Sequence, residues 1–104
     1  MTNTPLHRTV TVRNAQGLHA RPADMLVRMA NQFESNIQIG KHGEWVDCKS
    51  ILSILTLGAA QGTELSVSAE GADAQDALQS IVDLFEAGFE ETTQIEGANP
   101  TVDS

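Results

Sequence analysis

The chain has 104 residues, 40% hydrophobic and 19% charged, which is one domain's worth of sequence, able to bury roughly two-thirds of its unfolded surface. A net charge of −8 and a single cysteine, Cys48, argue against a nucleic-acid binder, which needs clustered Lys and Arg, and against a disulfide-stapled fold or a multi-cysteine metal centre. The longest apolar run, residues 51–60, is broken by Ser53, Thr56 and Gly58, so no membrane span fits, and without a leader-like N-terminus the expected location is the cytoplasm.

Residues 6–13 alternate Val10 and Val12 with Thr9, Thr11 and Arg13, the period-2 pattern of a half-buried strand. Asn14, Gln16 and Gly17 supply turn chemistry. Ala23, Leu26, Val27, Ala30 and Phe33 then form the stripe of an amphipathic helix over about residues 20–33, with Asp24, Arg28 and Gln32 on its other face. Ile37 with Ile39, and Val46 with Cys48, read as a β-hairpin around Gly40-Lys41-His42-Gly43, with Cys48 pointing into the core. Ser50 before Ile51, Leu52, Ile54, Leu55 and Leu57, with Gly58 behind, predicts a short helix with a serine cap and a glycine stop. The many β-branched residues leave a strand open there. Leu65, Val67 and Ala69 alternate with serines between Gly62 and Gly71 as a fourth strand. Asp73 is expected to cap a long helix whose apolar face is Ala74, Ala77, Leu78, Ile81, Leu84, Phe85 and Phe89, with Asp76, Asp83, Glu86 and Glu90 facing water. From Glu91 onward the composition predicts a polar, flexible tail, giving a domain over residues 1–90 and a tail over 91–104.

The order βαββαβα implies an α+β sandwich with helices on one sheet face. The charge is split along it: residues 1–50 hold all six basic residues and net +2, whereas residues 51–104 hold ten acids and no Lys or Arg. The acidic run also reads as a solvated face, and the first half is the one whose charge is compatible with an anion site.

That site is Gly17-Leu18-His19-Ala20-Arg21-Pro22-Ala23. His19 falls at a helix start, beside amides that lack intrahelical partners. The positive end of the helix favours a phosphate and disfavours an imidazolium, which keeps the ring neutral and nucleophilic. Arg21, two residues on, has the fork geometry to hold phosphoryl oxygens. Pro22 loses no hydrogen bond at the third helical position but disfavours α geometry at Arg21, so a tight or irregular first turn is expected. A loop histidine also reads as a surface residue or a capped hydrogen bond, and physics alone leaves that alternative open. His7 and His42 read as strand and turn surface. No HxxxH, CxxC, P-loop, dinucleotide fingerprint or nucleophile elbow occurs, so no metal and no cofactor is expected.

A second segment is Lys49-Ser50-Ile51-Leu52-Ser53-Ile54-Leu55. Ser50 reads first as a helix cap, and a phosphate there would sit at a helix N-terminus. Ile51, Leu52 and Leu55 are either an exposed docking patch or core.

Over roughly residues 6–90 the chain resembles the HPr family, the histidine-containing phosphocarriers of the bacterial phosphoenolpyruvate:sugar phosphotransferase system. The likeness rests on residues 17–23, on Lys49-Ser50-Ile51, on Thr56-Leu57-Gly58 and on Gly62 through Ser68-Ala69-Glu70-Gly71. It implies an open-faced β-sandwich, a four-stranded antiparallel sheet covered on one side by three helices. It also implies that His19 takes a phosphoryl group on Nδ1 from phosphorylated enzyme I and passes it to an enzyme IIA domain. Arg21 and the amides of Ala20 and Arg21 would hold the phosphate. By the same resemblance Ser50 matches a regulatory serine modified by an ATP-dependent HPr kinase/phosphorylase, and Gly17, Leu18, Ala20, Ile51, Leu52 and Leu55 would meet partners. The implied protein is a cytoplasmic, monomeric carrier with a transient phosphohistidine rather than a free-standing enzyme. The alternatives are a nitrogen-type regulatory relay and a module whose Ser50 state is read by a transcription regulator. Asp47-Cys48 before Lys49-Ser50, and the tail beyond about Glu90, depart from the usual family pattern.

Overall fold

A computed structural model describes residues 4–90, and of Glu90 only the backbone. The elements are β1 (Leu6–Thr11), α1 (Ala20–Ala30), β2 (Asn36–Lys41), β3 (Glu44–Asp47), α2 (Ile51–Thr56), β4 (Glu64–Glu70) and α3 (Ala74–Glu86), followed by a 3₁₀ turn, Gly88–Glu90. The four strands form one antiparallel sheet in the order β1-β4-β2-β3. The first and last strands to appear in the chain thus pair in full register, from Leu6 opposite Ala69 to Thr11 opposite Glu64.

Strand alternation assigns the two faces. Val10, Ile37, Ile39, Leu65, Val67 and Ala69 are buried beneath the helices, together with Ala23, Leu26 and Ala30 of α1 and Ala77, Leu78, Ile81, Val82 and Phe85 of α3. The opposite face carries exposed Thr9 and Gln38 and half-buried Ser66 and Ser68. On that face the Trp45 indole lies over Gly40, where a Cβ would meet it at 2.9 Å, and its edge approaches His7 with ring centroids 6.1 Å apart.

Several expected boundaries shift for identifiable reasons. The hairpin turn is two residues, not four: His42 (φ 52°) and Gly43 (φ 85°) both adopt left-handed conformations, as the tightest hairpins require. Gly40 and Lys41 are strand residues. Helix α1 stops at Ala30, and Phe33 packs half-buried from the following turn. Helix α3 stops at Glu86, so Phe89 is not on its face. Phe89 instead swings back through a positive φ of 55° to meet Phe85 edge-on at 4.9 Å. Asp73 occupies the cap position of α3 but makes no side-chain bond to it. Its carboxylate accepts from Glu34 N–H and Ser35 N–H, each at 2.9 Å, and from the Ser35 hydroxyl. Pro22 does not distort α1, since the Ala23 N–H reaches His19 O at 2.9 Å in a regular first turn. The expected tail and the Glu90 side chain lie outside the described residues.

Candidate functional site

The loop between β1 and α1 is built around one β-turn. The Gly17 N–H donates to Asn14 O at 3.0 Å, and the Asn14 side-chain Nδ2 donates to Gly17 O. Gly17 adopts φ +73°, and a Cβ there would strike Ala59 O and lie 3.0 Å from Ala60 Cα, so only glycine lets the two loops meet. The Leu18 N–H completes that contact at 2.9 Å from Ala59 O. Leu18 itself is 5% exposed and belongs to the core. Of the loop residues expected to face a partner, Gly17 and Leu18 are therefore interior, because their atoms fill the junction between the two loops. Ala20 is exposed.

His19 follows as the N-cap of α1, with extended backbone and no side-chain bond to the first turn. It is half-buried. Pro22 lacks an N–H, so the helix-start amides without an intrahelical carbonyl are those of Ala20 and Arg21. Arg21 is exposed in the first turn. The fold thus sets an imidazole at the positive end of an 11-residue helix and a guanidinium two residues on, an arrangement suited to an anion and to nucleophilic attack by the ring.

Helix α2 is a helix, not a strand, because its ends are chemically closed. Ser50 caps it: Oγ accepts from Ser53 N–H at 3.3 Å, and the backbone carbonyl accepts from Ile54 N–H at 3.1 Å. At the other end Lys41 Nζ donates to Leu57 O at 2.8 Å and Gly58 turns away with φ 59°. The open choice between core and patch is divided by residue. Ile54 and Leu57 are buried, whereas Ile51, Leu52 and Leu55 are 37%, 72% and 38% exposed.

The two segments are joined at both ends of α1. Its C-terminal side is latched to the Ser50 segment by Lys49 Nζ to Phe33 O at 2.8 Å and by Asn31 Nδ2 to Lys49 O at 3.4 Å. Its N-terminal side meets the exit of α2 through the bond between Leu18 and Ala59. His19 and Ser50 therefore sit near opposite ends of α2, whose 6 residues span about 9 Å at 1.5 Å per helical residue. Cys48, between them in sequence, is fully buried. Burial first, and then the Asp47 charge, push its thiol up to about 12, so it remains protonated and unreactive.

Sequence reasoning missed Asn14, read only as a turn residue, and Lys41 and Lys49, whose carbonyl acceptors lie 16 residues away. It also missed the Asp73 clamp, which spans 38 and 39 residues. No local pattern announces bonds of that separation. Among the described residues no group of three His, Cys, Asp or Glu converges on a metal position, and no described helix is long and apolar enough to cross a membrane.

A family profile described as the PTS HPr component phosphorylation site matches residues 6–87. The chain belongs to the HPr phosphocarrier family. Its fold is similar to HPr-C-His from Thermoanaerobacter tengcongensis, with 42% identity over 83% of this chain and 97% of that one and a TM-score of 0.80. It is also similar to the phosphocarrier protein HPr of Bacillus anthracis, with 36% identity over 80% and 99% and a TM-score of 0.76. The Bacillus subtilis catabolite-repression protein Crh, described as a swapped dimer, matches at 38% identity over 76% and 91% with a TM-score of 0.65. HPr proteins and a regulatory relative thus share this architecture.

Proposed function

We propose that this protein accepts a phosphoryl group from phosphorylated enzyme I on His19 and passes it to an enzyme IIA domain. The observation that carries the reading is His19 at the N-cap of α1 without a capping bond, inside a chain that belongs to the phosphocarrier family. The ring attacks phosphorus through Nδ1. One N–P bond forms here as the donor's N–P bond breaks, and the reverse step hands the group on, so no cofactor is consumed. Arg21 and the amides of Ala20 and Arg21 neutralise the phosphoryl oxygens, and removing such a group typically costs two or more orders of magnitude in rate. Ala20, Ile51, Leu52 and Leu55 form the contact surface for partner proteins, in the cytoplasm and with the carrier as a monomer.

A second reading concerns regulation. Ser50 caps α2 at the edge of the exposed Ile51, Leu52 and Leu55 patch, and the likeness to Crh supports a protein whose Ser50 is phosphorylated by an HPr kinase/phosphorylase and read by a transcription regulator. A dianion beside that patch weakens the meeting with another phosphoprotein by like-charge repulsion.

Incubation of wild type and His19→Ala with enzyme I and phosphoenolpyruvate, read by mass and acid lability, separates the two. One acid-labile phosphate on wild type and none on the variant supports the carrier. An unmodified wild type removes it and leaves the Ser50 module.

A further inference from the structure

Two fixed peptide groups bracket His19. On its C-terminal side the His19 carbonyl is bound by the Ala23 N–H at 2.9 Å. On its N-terminal side the peptide joining Gly17 to Leu18 is held from both directions: its carbonyl accepts from Asn14 Nδ2, and its N–H donates to Ala59 O at 2.9 Å. Between these anchors lies Leu18, whose side chain is locked in the core at 5% exposure.

The Asn14 bond is the one a turn does not supply by itself. A β-turn closes through the Gly17 N–H to Asn14 O, which is present at 3.0 Å. That bond does not hold the Gly17 carbonyl, whose peptide plane is restrained from its N–H side by Ala59 O and, at a residue with φ +73° and no side chain, needs a second contact to be held from both sides. The buried carboxamide of Asn14, 1% exposed, is that second contact, and with Ala59 it fixes the plane of the peptide one residue ahead of the Leu18–His19 link. Gly17 is buried as well, so its carbonyl without the donor would be an unsatisfied interior acceptor and the loop would turn to find another partner.

Resting on the phosphocarrier reading above, we propose that Asn14 is a positioning residue for His19: its carboxamide fixes the peptide joining Gly17 to Leu18 and so holds the imidazole in line with the amides of Ala20 and Arg21. The bond acts through the backbone. A displacement of about 1 Å at a reacting atom is enough to cost up to two orders of magnitude in rate.

The test compares wild type with Asn14→Asp, which keeps the shape but sets an oxygen against the Gly17 carbonyl, and with Asn14→Ala. Ile81→Val, on the buried face of α3, serves as a control that lowers stability away from the loop. Phosphoryl acceptance from phosphorylated enzyme I is measured against carrier concentration, alongside amide hydrogen exchange and thermal midpoints. The expected result for Asn14→Asp is a kcat lowered roughly tenfold or more with KM within about twofold. Exchange at Leu18 accelerates while the amides of α3 and β4 keep their protection, and Ile81→Val retains the wild-type rate. An unchanged rate overturns the proposal. So does a loss that Ile81→Val reproduces at the same midpoint, or Asn14 variants that are globally unfolded at room temperature. If wild type itself accepts no phosphate, the carrier reading has failed. Leu18 exchange then still decides whether Asn14 holds the loop, and unchanged exchange in both Asn14 variants overturns that too.

Discussion

Helices α1 and α3 both begin at a residue whose side chain makes no bond to its own first turn, yet the two side chains serve different ends. Asp73 turns away from α3 and gathers three donors from Glu34 and Ser35, stapling the turn after α1 to the start of α3. His19 stands at the start of α1 on a loop held by Asn14 and Ala59, and in the proposed reading its ring is kept for chemistry. Both are N-cap positions, extended at His19 but not at Asp73, and the role follows from what lies within reach. Ser50 is the intermediate case, capping its own helix while bordering an exposed apolar patch.

The comparison breaks most sharply at His19. His19→Ala is expected to abolish acid-labile phosphorylation entirely while the chain keeps a cooperative thermal melt. A midpoint that collapses in circular dichroism would instead make His19 a structural residue like Asp73. Next in size, Arg21→Ala lowers the acceptance rate roughly a hundredfold if the guanidinium stabilises the transferring group, measured by rapid quench.

Asp73→Ala has the opposite signature: phosphoryl acceptance stays near wild type and stability falls, by more than for loss of a single cap. The Ser35 hydroxyl first, and then the Glu34 N–H, hold the Asp73 carboxyl below its ordinary value of 3.8. A depressed folded value means the stabilisation is fully present above about pH 4 and is lost as pH falls through the folded value. The gap between wild type and Asp73→Ala in urea melts should therefore be widest at neutral pH and close on acidification. A gap independent of pH would remove the charge from the explanation. The smallest effect is expected for Ser50→Ala, about 1 kcal/mol of stability from the lost cap with His19 acceptance unchanged, and calorimetry with the same phosphorylation assay checks both.

Much of this architecture is legible in the chain because burial on one face imposes a period. Val10, Leu65 to Ala69, and the Ala23, Leu26, Ala30 stripe each declare their element and inward face, whereas Val12 fits the strand period but lies beyond the end of β1. Ser50 and Gly58 mark the ends of α2 because capping and left-handed turns demand particular residue types. The hairpin was harder to bound, since Gly40 looks like turn chemistry until Trp45 is seen lying on it. Phe89 fits the helical period of α3 and still reaches the core by another route.

By itself, then, the sequence determined the strands, the helices, the position of His19 and Arg21 at a helix start, and the family. These depend on local conformational preference and on motif. Only the tertiary structure decided that β1 lies beside β4, that Leu18 is interior while Leu52 is exposed, and that Asp73 clamps rather than caps. It alone brought the Asn14 carboxamide onto the peptide joining Gly17 to Leu18. Each of these rests on backbone conformation or on contacts between segments that meet only once the helices close over the sheet, and no periodicity within one segment encodes them.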